Sequence, residues 1–137
     1  MKRFLLWLLI AAALSAGVAV PTHLFLSGHP RRIAVAVDTS YGMQAAKQAV
    51  LRELSSLGVT RYARFSLLTD KVKVHGWQET LDAGAALTFY GPRDLASLTD
   101  AKRYPELADA DRVVVVTDAP DASQLPRLRG LRIVAVR

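Results

Sequence analysis

The chain has 137 residues, half of them apolar, with a formal charge of +6 and no cysteine. That length holds one domain plus a further segment, and the apolar share excludes a disordered chain. The lack of cysteine excludes disulfides, thiolate metal sites and cysteine nucleophiles, and no lysine or arginine run interleaved with aromatics marks a nucleic-acid binder.

The first 26 residues read MKRFLLWLLIAAALSAGVAVPTHLFL. Lys2 and Arg3 precede an apolar run from Phe4 to Val20, the order of a secretion signal. That run lies at the lower edge of the length a spanning helix needs. Pro21 is expected to bend it and Thr22-His23 to interrupt it. Beside a cytosolic protein with an apolar N-terminus, two readings stay open: a cleaved signal peptide, with Gly17-Val18-Ala19 or Ala13-Leu14-Ser15 before the cut, and an uncleaved anchor crossing the membrane with residues 4–20. Both export the body. Arg31 and Arg32 pull against export, since positive charge prefers the cytoplasmic flank, and Lys2 and Arg3 oppose them. Residues 27–31 read as a linker and 32–137 as the folded body. A basic body held near an anionic membrane accounts for the charge.

In the body, Arg32–Val37 (RIAVAV) is a continuous apolar run, the pattern of a strand buried on both faces. From Tyr41 to Leu57, Met43, Ala46, Val50, Leu51, Leu54 and Leu57 recur at helical spacing, and Gly58 is the expected stop. Tyr62–Leu68 and Lys71–Gly76 alternate as strands. Thr69-Asp70 between them predicts a tight antiparallel hairpin. A helix is predicted over Gln78–Leu87. Asp94 is an N-cap candidate for a helix from Leu95 that Pro105 restarts or kinks. Arg112–Thr117 (RVVVVT) is the most apolar strand. After Asp118–Ser123, a loop and then a short helical turn, Leu131–Val136 is the last strand. Strands alternating with helical segments predict an α/β sheet. In such sheets ligands sit at the carboxyl ends of the strands, where Asp38 and Asp118 each follow an apolar run.

The order of Asp38-Thr39-Ser40-Tyr41-Gly42, Leu67-Leu68-Thr69-Asp70, Tyr90-Gly91-Pro92-Arg93-Asp94-Leu95 and Val116-Thr117-Asp118-Ala119 resembles that of the von Willebrand factor A (VWA) domain family. The likeness runs from Arg32 to Val136. It implies a Rossmann-like three-layer sandwich with a mostly parallel five-stranded sheet, ordered 3-2-1-4-5 with strand 3 antiparallel, behind the N-terminal hydrophobic helix. The family's helix–strand–helix beyond the last strand has no counterpart here, so 131–136 is expected as an exposed apolar edge that invites a partner.

The resemblance also implies a metal-ion-dependent adhesion site. Asp38, Ser40 and Asp118 match its ligands. Gly42 stands where a second serine belongs and Arg93 where a loop threonine belongs. A shifted alignment gives that place to Thr88 and leaves room for Mg²⁺. An arginine has no acceptor and stays charged. A guanidinium reaching Asp38 and Asp118 would therefore occupy the place of the cation, leaving a degenerate site without a cofactor. As a short VWA-like member, the chain is expected to be a non-enzymatic protein-binding module, an accessory or assembly subunit of a bacterial envelope complex. Its body would lie on the periplasmic side of the inner membrane, or be periplasmic or secreted after cleavage. The expected binding face is Ser40, Tyr41, Gly42, Arg93, Asp118 and Asp121, meeting an acidic side chain of another protein. Two other classes stay open: a metal-dependent hydrolase or phosphotransferase using Asp38 and Asp118, and a purely structural membrane subunit.

Overall fold

The computed structural model describes residues 2–82, 87–118 and 130–136. It divides into two units, Met1–Pro30 and Arg31–Arg137.

The first unit is one helix, α1, Lys2–Gly28. At 1.5 Å per residue its 27 residues span about 40 Å, more than the roughly 30 Å of a bilayer's hydrocarbon. Its stretch Phe4–Gly28 is long and apolar enough to cross a membrane or to serve as a signal sequence. The helix does not stop near Val20. It runs through Pro21, and the hydroxyls of Thr22 and Ser27 fold back onto the carbonyls of Val18 and His23, at 2.8 Å each. Those bonds satisfy polar side chains inside the helix, so Thr22-His23 interrupts nothing. Ser27 and Gly28 belong to α1 and Arg31 to the first strand, which leaves only His29 and Pro30 of the expected linker.

The second unit is a five-stranded mixed sheet, ordered β3-β2-β1-β4-β5 as expected. Its strands are β1 Arg31–Val37, β2 Ala63–Thr69, β3 Lys73–Gln78, β4 Arg112–Thr117 and β5 Arg132–Ala135. β1 lies parallel to β2 and β4, β4 parallel to β5, and β3 antiparallel to β2. Successive side chains point to opposite faces, so each central strand feeds two cores. On one face Ile33, Val35, Val37, Phe65, Leu67, Val114 and Val116 cluster with Met43, Val50 and Leu54. On the other, Ala34, Ala36, Leu68, Val113 and Val115 cluster with Leu95, Leu98, Tyr104 and Leu107. This is why β1 and β4 read as unbroken apolar runs.

The helical segments depart further from expectation. The helix expected over 41–57 is a 3-10 helix at Tyr41–Gln44 followed by α2, Lys47–Leu57. Met43 N–H bonds the Ser40 carbonyl three residues back, and Gly42 within that turn is a weak helix former. Gly58 ends α2 in a right-handed conformation, φ −63°, so no left-handed cap is used. The helix expected over Gln78–Leu87 is absent from its described part. Gln78 pairs with Phe65 as the end of β3, 79–82 are irregular, and 83–86 lie outside the described residues. Strand pairing overrides the local helical spacing there.

The hairpin turn is longer than expected, because β3 starts at Lys73. Thr69 Oγ1 accepts the N–H groups of Lys71 (3.2 Å) and Val72 (2.9 Å), a side-chain turn that uses up those residues. Asp94 does cap the next segment, accepting Ser97 N–H at 3.3 Å, but that segment is a 3-10 helix, Leu95–Thr99. Pro105 then starts α3, Pro105–Asp109. The helical turn expected after Ser123 lies outside the described residues. Of the edge expected at 131–136, Arg132, Ile133 and Ala135 are exposed, while Val136 is buried.

Candidate functional site at the carboxyl ends of the strands

β1, β2 and β4 end in step, with Val37 level with Thr69 on one side and Val116 on the other. An aspartate follows each strand at once: Asp38, Asp70 and Asp118. Backbone bonds carry the ladder one step further, from Asp38 N–H to Val116 O (2.9 Å) and from Asp70 N–H to Val37 O (3.2 Å).

Asp38 is fully buried, and both its oxygens accept hydrogen bonds. Oδ1 takes the Ser40 N–H at 3.0 Å. Oδ2 takes the Thr117 hydroxyl at 2.8 Å and Arg93 Nε at 2.6 Å. The same guanidinium reaches the second carboxylate, where Arg93 Nη2 donates to Asp118 Oδ1. Arg93 therefore bridges Asp38 and Asp118, with about a third (33%) of its side chain still exposed. Burial alone would lower its pKa, but the two carboxylates outweigh burial and raise it, so the cation is permanent.

Asp70 holds the loop that delivers this arginine. Its Oδ1 accepts the N–H and hydroxyl of Thr39, at 3.0 and 2.7 Å. Its Oδ2 accepts Lys71 Nζ at 2.7 Å and the Asp94 N–H at 3.0 Å. Its backbone carbonyl takes the Ser97 hydroxyl at 2.6 Å. Burial pushes the Asp70 carboxyl up, yet the Lys71 ammonium with the Thr39 and Asp94 donors outweighs it, and the carboxyl titrates below its ordinary range. Two backbone bonds complete the fastening: Tyr41 N–H to Gly91 O (3.1 Å) and Tyr90 N–H to Thr39 O (2.8 Å). Gly91 makes the turn at φ +74°, where a side chain would be strained and would press on Lys71.

The other expected residues divide. Ser40 is buried, and its hydroxyl has no hydrogen-bond partner among the described residues. Gly42 lies beside Asp118, and a Cβ there would sit 3.7 Å from Oδ2, an ordinary contact. Tyr41 is 67% exposed at the rim of the site. Met43 Sδ accepts the Asp118 N–H at 3.2 Å. Asp121 lies outside the described residues. Thr88 is exposed, and it is Arg93 that meets both aspartates.

Sequence reading took Asp70 for a turn residue and overlooked its role. The signal was available: an aspartate directly after the apolar FSLLT, as after RIAVAV and RVVVVT. As arranged, the donor set does not fit a divalent cation, because a guanidinium already lies against both Asp38 and Asp118. Among the described residues, no group of three or more His, Asp or Glu stands close enough to hold a metal. Comparison of the chain with models of protein families, with curated proteins and with solved structures gave no match.

Proposed function

We propose that this chain is a membrane-tethered, non-enzymatic VWA-like module that binds another protein at the carboxyl ends of its strands, as an accessory or assembly subunit of an envelope complex. The observation that carries this reading is the Arg93 bridge between Asp38 and Asp118. It supports a site whose cation is supplied by the chain. The binding face is Ser40, Tyr41, Gly42, Arg93 and Asp118, with Asp121 beside it in sequence. A partner carboxylate would meet the exposed part of the guanidinium, for which fork-like Arg–carboxylate geometry is suited. The outer side of β5, where Ile133 is 37% exposed, is a second contact through strand addition. α1 anchors the module in the inner membrane with the body in the periplasm.

Calorimetric titration of Mg²⁺ and Mn²⁺ into the full chain in detergent tests the cation replacement. The natural chain should take up neither ion. Arg93→Thr should bind, because it leaves Asp38 and Asp118 without a counter-charge and opens the place of the guanidinium to an ion and its waters. Binding by the natural chain would overturn the replacement. The partner is tested with a photo-crosslinker at Tyr41 in intact membranes. It should give an adduct that Arg93→Ala abolishes without changing the far-ultraviolet circular dichroism. An adduct indifferent to Arg93 sinks the binding face.

A further inference from the structure

The parallel strands all begin at the end of the sheet opposite Asp38 and Asp118, and arginines mark each beginning. Arg31 and Arg32 open β1, Arg61 and Arg64 stand on either side of the start of β2, Arg112 opens β4 and Arg132 opens β5. All six are exposed. None pairs with a carboxylate side chain among the described residues. Register sets Arg31, opposite Ala63, and Arg112, opposite Ile33, on one face, Arg32 opposite Arg64 on the other, and Arg132 further along, opposite Val114. Arg32 lies over the Trp77 ring at 5.9 Å. Arg31 and Arg112 line a cleft of about 590 Å³ with Ile33, Leu57 and Val114 in its wall.

The acids at this end are Glu79, Asp82, Asp109 and Asp111, four against six arginines. One Asp111 oxygen is already committed to the Arg32 backbone N–H at 2.9 Å. At the opposite end the charges nearly balance, with Asp38, Asp70, Asp94, Asp118 and Glu106 beside Lys71, Lys73, Arg93 and Arg103. The cationic excess of the described body therefore lies at the strand starts. An apolar tip accompanies the arginines: Val59, 80% exposed, precedes Thr60 of the same cleft.

We propose that this strand-start rim docks on an anionic bilayer surface, its arginines on lipid phosphates and Val59 at the headgroup layer. Guanidinium groups match phosphate oxygens and are weakly hydrated, so they lose little on docking. The chain places the surface within reach. Gly28 of α1 and Arg31 of β1 are three residues apart, at most about 11 Å of chain. A membrane holding α1 thus keeps Arg31 near its headgroups. This inference is independent of the reading of the aspartate site.

The natural chain has no cysteine, so one introduced cysteine carries the only label. The full chain with Val59→Cys, or separately Tyr41→Cys, bears an environment-sensitive fluorophore. It is reconstituted into vesicles of phosphatidylcholine alone, or with one third replaced by phosphatidylglycerol. Both contain a headgroup spin-labelled quencher lipid. The label at 59 should be quenched in the phosphatidylglycerol vesicles and released by salt, while the label at 41 stays bright. Replacing Arg31, Arg61 and Arg112 together by Gln should lower the docked-to-free ratio by about fivefold per arginine removed. Arg61→Gln alone, outside the strands, gives the same reading if the triple variant does not fold. Quenching at 59 that ignores lipid charge, ignores Arg61→Gln, or is weaker than at 41 overturns the proposal. A rim that instead binds an acidic protein would show the first of these.

Discussion

Asp70 and Arg93 show how single side chains fix the site. Asp70 is held ionised by Lys71, Thr39 and Asp94, so its folded pKa lies below the ordinary 3.8. A lowered folded pKa contributes stability above the unfolded value, and that stability is lost as pH falls through the folded one. Urea midpoints should therefore drop below about pH 4, and Asp70→Asn should flatten that acid limb while costing about 2–3 kcal/mol at neutral pH. Arg93→Met leaves Asp38 buried with only Thr117 and Ser40 as donors. It should cost about 3 kcal/mol, near the lower bound for a broken buried pair because those two donors remain. Adding Asp38→Asn should restore part of that loss in a double-mutant cycle. Asp70 read as a turn residue, whereas Asp38 and Asp118 were legible in the sequence because each ends an apolar run. The fastening of the Arg93 loop was not, because it depends on backbone donors of Thr39 and Asp94 that only the folded register brings to Asp70.

Among the elements, the strands, α1, the body of α2 and the start of α3 at Pro105 were legible, and the short segments between were not. β1 and β4 carry their signal in unbroken valine, isoleucine and alanine runs, since burial on both faces demands apolar side chains at every position. The segments 79–82 and 95–104 are short and irregular, held by caps and by burial of Leu95, Leu98 and Tyr104. Periodicity needs longer windows than these supply. The loop into β5 depends instead on one glycine. Gly130 sits at φ +61°, and a Cβ there would come within 2.8 Å of the Asp111 carbonyl. Gly130→Ala should destabilise by about 1–3 kcal/mol, read from the shift in a thermal melt. Gly58→Ala, at φ −63° with ordinary contacts, should be neutral or mildly stabilising in the same measurement.

For the whole molecule, α1 and the folded body are joined by His29 and Pro30 alone. The proposed anchor predicts that the mature protein keeps its first 28 residues and stays in the membrane pellet under alkaline carbonate. Intact mass decides the matter, and a chain starting after Ala19 would mean a cleaved signal. The sheet order was what the resemblance implied, and element order was readable from the alternation of the segments. The gathering of arginines at the strand starts was not, because it emerges only when parallel register aligns residues far apart in sequence.

The strand that leaves α1 first is also the central one. β1 has β2 on one side and β4 on the other, both parallel to it. On the proposed anchoring of α1, a pull arriving along the chain enters the body at Arg31, the first residue of that strand. Where a partner holds the body at the carboxyl ends of the strands, the hydrogen bonds of β1 to both neighbours are loaded together in shear. A tether attached to β3 or β5 would instead load an edge. With the proposed anchor, tension would meet the strand with the longest pairing in the sheet, a mechanical resistance set by which strand comes first in the chain.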